Sequence, residues 1–459
     1  MKSRNLTRLL KLNNERFWYR KRSEYIHRFL RNGAILSDIV VKYYHLERYL
    51  KENKESKLKS ENKYFHIKNT CTQLNVPITF SFFTNPSETA KFIQTTYKVS
   101  YKAVNNHLHL NHRPTEEVCI ASTLLFDNLL HSAIKIKRLK GLSGYLSQSS
   151  IVNNFLLRTG VLFRLNYQPK AKDYEQGLFT GDIKNPNNVF KATGSAKEPK
   201  AASLAAYGLA EYLIRLASNL PSDDKNFDVQ TMSTLAEAIG EIICNAEEHA
   251  SGKWFVFGDY DDETQICSFA ILNYGDITIY SALQKSQNTK DKGEQFYRRL
   301  VANAVSKSGY NKEQVLTEIP CECVWNLYAL QEGVSSKKKR KDIERATRGR
   351  GLPDFISYVR KISNPCKECL ITIISGKSQL LIDNSCIIYD SLSKKQGVGN
   401  HKGNVKVVRH IPLNGLKNIY EPPTKGKMYI HDYNLKGTLI ACQFHLNVSN
   451  SKVQYGNSE

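Results

Sequence analysis

The feature that most limits the fold of this chain is a helical pattern followed directly by two strand patterns. Between residues 234 and 250, apolar side chains recur at helical spacing, at Leu235, Ile239, Ile242, Ile243 and Ala246. Residues 254–258 and 266–272 are then rich in the β-branched and aromatic side chains that are typical of buried strands. This order predicts helices packed on a sheet, and therefore a fold of the α/β class.

The length and composition of the chain indicate several domains and a reducing compartment. The chain has 459 residues, too many for one ordinary core, so we expect two or three domains. Its ten cysteines lack dense, regular spacing and suit reduced thiols. The sequence has no run of about twenty apolar residues and no apolar signal core after its basic N-terminus. A cytoplasmic protein that is not inserted in a membrane is expected.

The charge balance favours an acidic partner. The 66 Lys and Arg residues exceed the 43 Asp and Glu residues, which gives a net charge of +23. Nucleic acid, an anionic membrane surface or a nucleotide would complement this charge. A generally basic proteome would produce the same excess, so the charge alone does not identify the partner.

Residues 1–63 are predicted to form a basic helical segment with a polar linker at residues 51–63. Its aromatic side chains are interleaved with basic ones, as in Phe17, Tyr19, Arg20 and Lys21. This mixture occurs where proteins grip phosphates and stack on bases. An amphipathic helical hairpin, with its aromatics against the protein and its charges in water, is the simpler interpretation of the same residues.

Residues 64–172 are predicted to form a small α/β domain. Its expected elements are a strand at 78–83, a helix from Pro86, a strand at 107–110, a helix at 120–134 and a helix capped by Gly160. This order resembles that of a STAS-like regulatory domain. Residues 173–200, with scattered Gly, Pro, Asn and Lys, are expected to be a connector, and residues 201–220 a helix.

The helix at residues 234–250 carries the first candidate for chemistry. Glu241 and Asn245 are four residues apart and therefore project from one face of the helix. The amide oxygen of Asn245 is suited to a magnesium ion that bridges nucleotide phosphates. The carboxylate of Glu241 is suited to position or deprotonate a water or hydroxyl nucleophile. A solvated helix face would show the same spacing, so these two residues gain meaning only from the later segments of the chain.

Glycine-containing segments occur further along the same region. The second strand runs directly into residues 273–275 (Asn-Tyr-Gly). Residues 349–352 (Gly-Arg-Gly-Leu) open a predicted helix, whose free backbone N–H groups and positive dipole end suit phosphate. A hairpin is predicted from residues 371–377 and 379–383. A last strand is predicted at residues 437–446, beginning with Gly and Thr.

The order of these motifs, from Leu235 to Leu446, resembles the gyrase/histidine-kinase (GHKL) family of ATPases. The resemblance implies a Bergerat-type fold, which is a two-layer α+β sandwich, over residues 201–450, and ATP and Mg²⁺ as its ligands. It implies that Glu241 is the general base and that Asn245 binds the magnesium. The other residues that it implies in nucleotide binding are Asn273, Gly275, Gly349, Arg350, Gly351, Leu352 and Thr438.

The sequence departs from the family pattern at the base-binding motif. The family usually has Asp where Asn273 stands, and that carboxylate accepts a hydrogen bond from the adenine amino group. Asn273 is expected to accept through its side-chain oxygen while its amide nitrogen donates elsewhere. Ile277 occupies the place of the second glycine of the motif. Both changes weaken the implied selectivity for adenine.

The segment at residues 277–348 lies where the family carries its ATP lid. It contains two helical patterns and a basic run at residues 337–341 that would touch ATP, dock a partner or remain a solvated loop. Four thiols raise a zinc hypothesis, because four thiolates can form a tetrahedral site: Cys321, Cys323, Cys366 and Cys369. Their spacing is unusual for a zinc site, and two unrelated pairs of thiols are the simpler interpretation.

Three classes of function are consistent with these motifs. The first is an ATP-dependent signalling or regulatory switch, either an ATPase or a Ser/Thr protein kinase of the anti-sigma type, with a protein partner; such a switch could also be a homodimer. A sensor histidine kinase fits less well because residues 201–220 contain no His. The second is an ATP-driven switch that acts on nucleic acid in defence or repair. The third is a catalytically inactive scaffold that binds nucleotide.

Overall fold

The computed structural model describes most of the chain from residue 65 to residue 446. The described residues are 65–68, 71–102, 106–135, 139–164, 169–180, 189–195, 201–217, 229–249, 253–275, 277–285, 287–308, 313, 315, 318–334, 351–394 and 405–446. The predictions for the basic segment 1–63, for the basic run 337–341 and for Gly349 and Arg350 lie outside them. Within the described residues, no helix is long and apolar enough to cross a membrane.

The first part of the described chain is an α/β module with a small sheet. Its strands are β1 (Phe65–Lys68), β2 (Cys71–Asn75), β3 (Thr79–Phe80), β4 (Asn106–Asn111), β5 (Glu117–Val118) and β6 (Leu139–Tyr145). Its helices are α1 (Pro86–Lys102), α2 (Ile120–Lys135), α3 (Ser150–Arg158), α4 (Val161–Arg164) and α5 (Ala171–Glu175). The sheet order is β1-β2-β4-β6, with β2, β4 and β6 parallel and β1 antiparallel. Parallel strands need crossover connections, and α1 and α2 lie in these connections and pack against each other.

The second part is built on a larger, antiparallel sheet. Its strands are β7 (Phe190–Ser195), β8 (Lys253–Asp261), β9 (Ile266–Tyr274), β10 (Cys369–Ile382) and β13 (Met428–His445), in the order β10-β13-β9-β8-β7. A separate hairpin joins β11 (Tyr389–Lys394) and β12 (Val405–His410). The helices are α6 (Ala201–Ala217), α7 (Val229–His249), α8 (Ile279–Gln284), α9 (Gln287–Ser308), α10 (Cys321–Ala329) and α11 (Gly351–Ile362).

Both faces of the five-stranded sheet are apolar, and both are covered. Along β9, Phe269 and Ile271 point to a core shared with α6, α7 and α11, whereas Ala270 and Leu272 point to a core on the opposite face. Helices α1 and α2 of the α/β module pack on that second face, against β8, β9 and β13. The module therefore adds a further layer, which buries the second face of the sheet. The two-layer, Bergerat-type fold expected for residues 201–450 stays a prediction.

Polar contacts also cross from the α/β module to the sheet. The Gln379 side-chain amide of β10 donates a hydrogen bond of 2.6 Å to the carbonyl oxygen of Phe82. The ring of Tyr97 in α1 lies 5.6 Å from the ring of Tyr433 in β13. Burial raises the pKa of Tyr274, at the end of β9, well above its usual value, and the hydroxyl of Tyr97 to which it is hydrogen-bonded adds to this. The module and the sheet thus share one interior.

Most predicted elements are present, but several differ in extent or kind. The mixed α/β class is confirmed, as are the helices predicted at 120–134 and 234–250. The strand predicted at 78–83 is limited to Thr79–Phe80, because only these residues pair with β5. The expected connector 173–200 contributes β7, the edge strand next to β8. The hairpin predicted at 371–383 is wrong, since β10 continues through Gly376, where the pairing with β13 shifts, without reversing.

Candidate functional site

Helix α7 presents Glu241 and Asn245 on its side that faces helix α11. Ile239, Ile242 and Ile243 of the same helix are buried in the core. Glu241 is exposed and Asn245 is half-buried. The buried isoleucines fix the rotation of the helix about its axis. Glu241 and Asn245 therefore lie together beside the buried face, as their spacing predicts.

Gly351, the first residue of α11, is in close contact with both side chains. A Cβ atom placed on Gly351 would lie 2.5 Å from Cγ and 2.9 Å from Oε1 of Glu241, and 3.0 Å from Nδ2 of Asn245. Real Cβ atoms do not approach other atoms this closely, so a larger residue here would have to displace the side chain of Glu241 or Asn245. The backbone at the start of α11 therefore lies directly against the acid–amide pair.

The opposite wall consists of strands β9 and β13. Asn273 and Thr438 are paired across the two strands, and the backbone N–H of Thr438 donates a hydrogen bond of 2.5 Å to Oδ1 of Asn273. Gly437 adopts a φ of +137°, and a Cβ atom on it would lie 2.0 Å from the carbonyl oxygen of Asn273. Glycine is thus required at this position both for its backbone conformation and for space.

A serine outside the predicted set of site residues holds this wall in place. The hydroxyl of Ser375 in β10 donates to the carbonyl oxygen of Gly437 at 3.0 Å and lies 3.0 Å from the hydroxyl of Thr438. It also accepts a 2.9 Å hydrogen bond from the backbone N–H of Ile279, at the start of α8. Ser375 is not among the predicted site residues, because the residues around it in the sequence favour the arm of a hairpin. They do not indicate a strand that pairs with β13.

These elements enclose one cavity. Its volume is about 160 Å³, roughly ten times what a single water molecule needs, so it can hold an organic ring system. Its polar lining includes Glu241, Asn245, Asn273, Thr278 and Thr438, and its apolar lining includes Ile242, Ile271, Ile277, Ile279, Leu283, Leu352 and Ile440. An apolar pocket with a few convergent polar groups is the usual form of a small-molecule site.

The structure brings most of the predicted site residues together. Glu241, Asn245, Asn273, Gly351, Leu352 and Thr438 all line the cavity. Gly275 does not line the cavity. Its backbone N–H donates a 3.1 Å hydrogen bond to the carbonyl oxygen of Lys436 in β13. Thr278 also lines the cavity but is not among the predicted site residues. Its side chain caps α8 by accepting a hydrogen bond from the backbone N–H of Ser281. The sequence signal for it is a Thr at a helix start with a polar side chain three residues later.

The side-chain oxygen of Asn273 already has one partner within the protein, since it accepts a hydrogen bond from the N–H of Thr438. An amide oxygen has two lone pairs, so the bond to a base that the sequence predicts stays a prediction. The strand pairing places Thr438 directly opposite Asn273, which brings the two groups together.

The four cysteines of the zinc hypothesis do not form a cluster. Cys323 donates from its thiol to the carbonyl oxygen of Tyr429, and Cys369 accepts a hydrogen bond from the hydroxyl of Ser363. Burial raises the pKa of the Cys323 thiol to about 11. Among the residues that the structure describes, no group of three or more His, Cys, Asp or Glu is placed to hold a metal ion.

Comparison of the chain with protein-family models, with curated proteins and with solved structures finds no match. The case for any function therefore depends on the geometry of this cavity.

Proposed function

We propose that residues 190–446 bind a nucleoside triphosphate together with Mg²⁺, as a GHKL-type domain does, with ATP as the nucleotide that the sequence resemblance implies. The observation that carries the proposal is the contact of Gly351 with both Glu241 and Asn245 at the edge of a cavity. The sequence places Gly351 more than a hundred residues after this pair, so their meeting is a property of the fold.

The chemistry of the donor set at this edge fits a magnesium–phosphate group. Mg²⁺ prefers oxygen ligands and is usually held by one or two protein groups together with substrate phosphates, rather than by a complete protein cage. Asn245 would supply the protein oxygen. The ion would neutralise phosphate charge when bound. The side chains of Glu241 and Asn245 have no hydrogen-bond partner among the described residues, which leaves both side chains available to a ligand.

The backbone at Gly351 supports a phosphate position next to this pair. Gly351, Leu352 and Pro353 line the cavity beside Glu241 and Asn245, and Gly351 has no side chain to cover its backbone. The apolar part of the lining, which includes Ile271, Ile440 and Leu283, would hold the flat face of a base.

Glu241 is the residue that would act in a transfer step. In such a step its carboxylate takes a proton from a water or hydroxyl nucleophile, whose oxygen bonds to the terminal phosphorus. The bond from that phosphorus to the bridging oxygen breaks, and the nucleoside diphosphate leaves. The exposure of Glu241 gives a nucleophile access to it.

The contact between the sheet and the α/β module favours a regulatory switch over an isolated catalyst. Tyr274 follows Asn273 in β9 and points to the opposite face, where Tyr97 of α1 is hydrogen-bonded to it. A shift of β9 on nucleotide binding would therefore reach α1 directly. This supports a signalling role among the three functions considered, because the module would sense the nucleotide through a shared interior.

The test of the proposed chemistry compares Glu241→Gln with Glu237→Gln. Glu237 lies one turn earlier on α7, is exposed and does not line the cavity. We expect Glu241→Gln to keep nucleotide affinity within about threefold and to lose phosphate release by about a hundredfold or more, as for loss of a general base. Glu237→Gln should resemble the parent protein. Equal phosphate release in the two variants would refute the role of Glu241.

A further inference from the structure

The four-stranded sheet of the α/β module has one apolar and one polar face. Along β2 and β4, buried residues alternate with half-buried ones, and the buried ones are Thr72, Leu74, Leu108 and Leu110. Parallel strands are normally buried on both faces and therefore consist of nearly continuous apolar residues. The alternation in β2 and β4 indicates that only one face of this sheet is a core face.

The other face, called the polar sheet face below, consists of two rows of residues that the strand register aligns. One row is Gln73, His109 and Ser143, and the next is Asn75, Asn111 and Tyr145. None of the six is an acid, and none has an aliphatic side chain. The polar sheet face therefore offers hydrogen-bonding groups and aromatic rings without negative charge.

Hydrogen bonds within the polar sheet face hold its side chains in place. Oδ1 of Asn75 accepts from Nε2 of Gln73 at 2.9 Å and from Nδ2 of Asn111 at 3.0 Å. Nδ1 of His109 lies 2.8 Å from the hydroxyl oxygen of Ser143. Side chains that are already ordered lose less conformational entropy when a partner binds. The polar sheet face thus has the order expected of a preformed binding surface.

Arg113, two residues after β4, lies against Tyr145 at one end of the polar sheet face. Its Cζ atom is 3.9 Å from the centroid of the Tyr145 ring, and the His109 ring meets the same ring edge to face with centroids 4.4 Å apart. Arg113 is exposed, and Tyr145 is 44% exposed. Among the described residues no acid pairs with Arg113, whereas Arg158 and Arg409 each form ion pairs with two aspartates. The guanidinium of Arg113 therefore keeps its charge and an exposed side for a partner.

Basic residues occur at both ends of the polar sheet face. Four of the six residues 135–140, through which the chain enters β6, are Lys or Arg. Arg113 follows the end of β4. Because β4 and β6 are parallel, the start of β6 and the end of β4 lie at opposite ends of the sheet. A negatively charged chain that crosses the face along the strands would meet basic residues at both ends.

We infer that the polar sheet face binds single-stranded nucleic acid, with one base stacked on the guanidinium of Arg113. Unpaired bases stack on arginine planes and aromatic rings, and their edges form hydrogen bonds with polar side chains. The phosphates supply the negative charge that the surrounding basic residues lack. The bases of a duplex are stacked on one another and cannot use this platform. The inference concerns the α/β module and does not depend on the proposed nucleotide site.

Fluorescence anisotropy with labelled oligothymidine and oligouridine tests this inference on the full chain without ATP. We expect Arg113→Gln and Tyr145→Leu to weaken binding of the single strand about fivefold or more, the effect of losing one stacked base. Arg299→Gln and Tyr207→Leu are the matched controls and should bind as the parent does. Arg299 is exposed and lies 5.4 Å from the centroid of the Tyr420 ring, and Tyr207 is exposed on α6.

A duplex oligonucleotide and a lysine variant separate stacking from charge. Binding of the duplex depends on phosphate contacts, so Tyr145→Leu should change it less than about twofold. Arg113→Lys keeps the positive charge but loses the planar group. It should therefore weaken binding of the single strand nearly as much as Arg113→Gln does.

Each outcome decides for or against the polar sheet face. Weaker single-strand binding by Arg113→Gln and Tyr145→Leu, with both controls unchanged, supports the inference, and the oligonucleotide that shows it distinguishes DNA from RNA. Equal affinities of all the variants would mean that another part of the chain binds the oligonucleotide, which overturns the inference. Absence of binding by the folded parent overturns it as well, and so does an equal loss of duplex and single-strand binding in Tyr145→Leu.

Discussion

Gly351 at the start of α11 lies so close to Glu241 in α7 that a Cβ atom on the glycine would be 2.5 Å from Cγ of the glutamate. The same Cβ atom would be 3.0 Å from Nδ2 of Asn245. The absence of a side chain at Gly351 therefore lets the backbone of α11 lie directly against the acid–amide pair. The proposed magnesium–phosphate position depends on this approach.

Gly351→Ala is expected to weaken nucleotide binding. The added methyl group would have to push Glu241 or α11 away, and overpacking of this kind costs about 1–3 kcal/mol. Since the displaced groups are those proposed to bind phosphate and magnesium, affinity should fall about tenfold or more. Titration calorimetry measures this directly. Gly415→Ala is the matched control, because a Cβ atom on Gly415 has no neighbour within 4 Å. Equal affinities of the two variants would contradict the close contact.

Gly437→Ala is expected to lower the stability of the whole sheet. Gly437 has a φ of +137°, which an alanine rarely adopts, and its Cβ atom would lie 2.0 Å from the carbonyl oxygen of Asn273. Backbone strain and the clash together should cost about 3 kcal/mol or more. Thermal unfolding followed by circular dichroism measures the loss.

Gly240→Ala provides the control with the opposite expected sign. Gly240 lies inside α7, and a Cβ atom there makes only an ordinary contact of 3.7 Å with Ala206. Alanine stabilises a helix interior by about 1 kcal/mol relative to glycine, so this variant should unfold at the parent temperature or above it. A Gly437→Ala protein that unfolds no earlier than Gly240→Ala would show that the β9–β13 approach is wrong.

Acid is expected to destabilise the protein through two buried histidines. Burial lowers the pKa of His431 to about 4 and that of His112 to about 4, against 6.5 in an unfolded chain. Between these values the unfolded chain binds protons that the folded chain does not, so stability is present above pH 6.5 and is lost as the pH falls towards 4. Each histidine contributes at most about 1.4 kcal/mol per pH unit.

The variant His431→Gln isolates one of these contributions. Glutamine can keep a donor near Oε1 of Gln379, which lies 2.9 Å from Nε2 of His431, but it does not titrate. The unfolding temperature of this variant should therefore fall less between about pH 7 and pH 5 than that of the parent. Identical losses in the two proteins would mean that His431 is protonated equally in the folded and unfolded chain.

The sequence is sufficient for the local elements of the site. The apolar spacing of 234–250 predicts the helix and places Glu241 and Asn245 on one face, and the structure has this helix as Val229–His249. The strand leading to Asn273 is predicted from its residue types, and the strand that contains Thr438 is predicted to begin nine residues later than it does. These features depend on neighbours within a few positions along the chain.

Features that depend on distant partners cannot be predicted from one sequence. The orientation of Asn273 is set by an N–H 165 positions away. Strand β10 resembles a hairpin in sequence because Gly376 is typical of a turn, whereas the length of β13 keeps both halves of β10 in one strand. Helices α1 and α2 cover one face of the five-stranded sheet. This packing joins the apolar side of the helices to the apolar face of a sheet that is formed by later parts of the chain.

The most direct test of the account is the magnesium dependence of nucleotide binding in the parent protein and in Asn245→Ala. If Asn245 shares a Mg²⁺ ion with the phosphates, adding Mg²⁺ should tighten binding by the parent about tenfold or more, and Asn245→Ala should bind equally weakly with and without the ion. Asn384→Ala, which removes an exposed carboxamide that does not line the cavity, should behave as the parent does. An equal effect of Mg²⁺ on the parent and on Asn245→Ala would contradict the account.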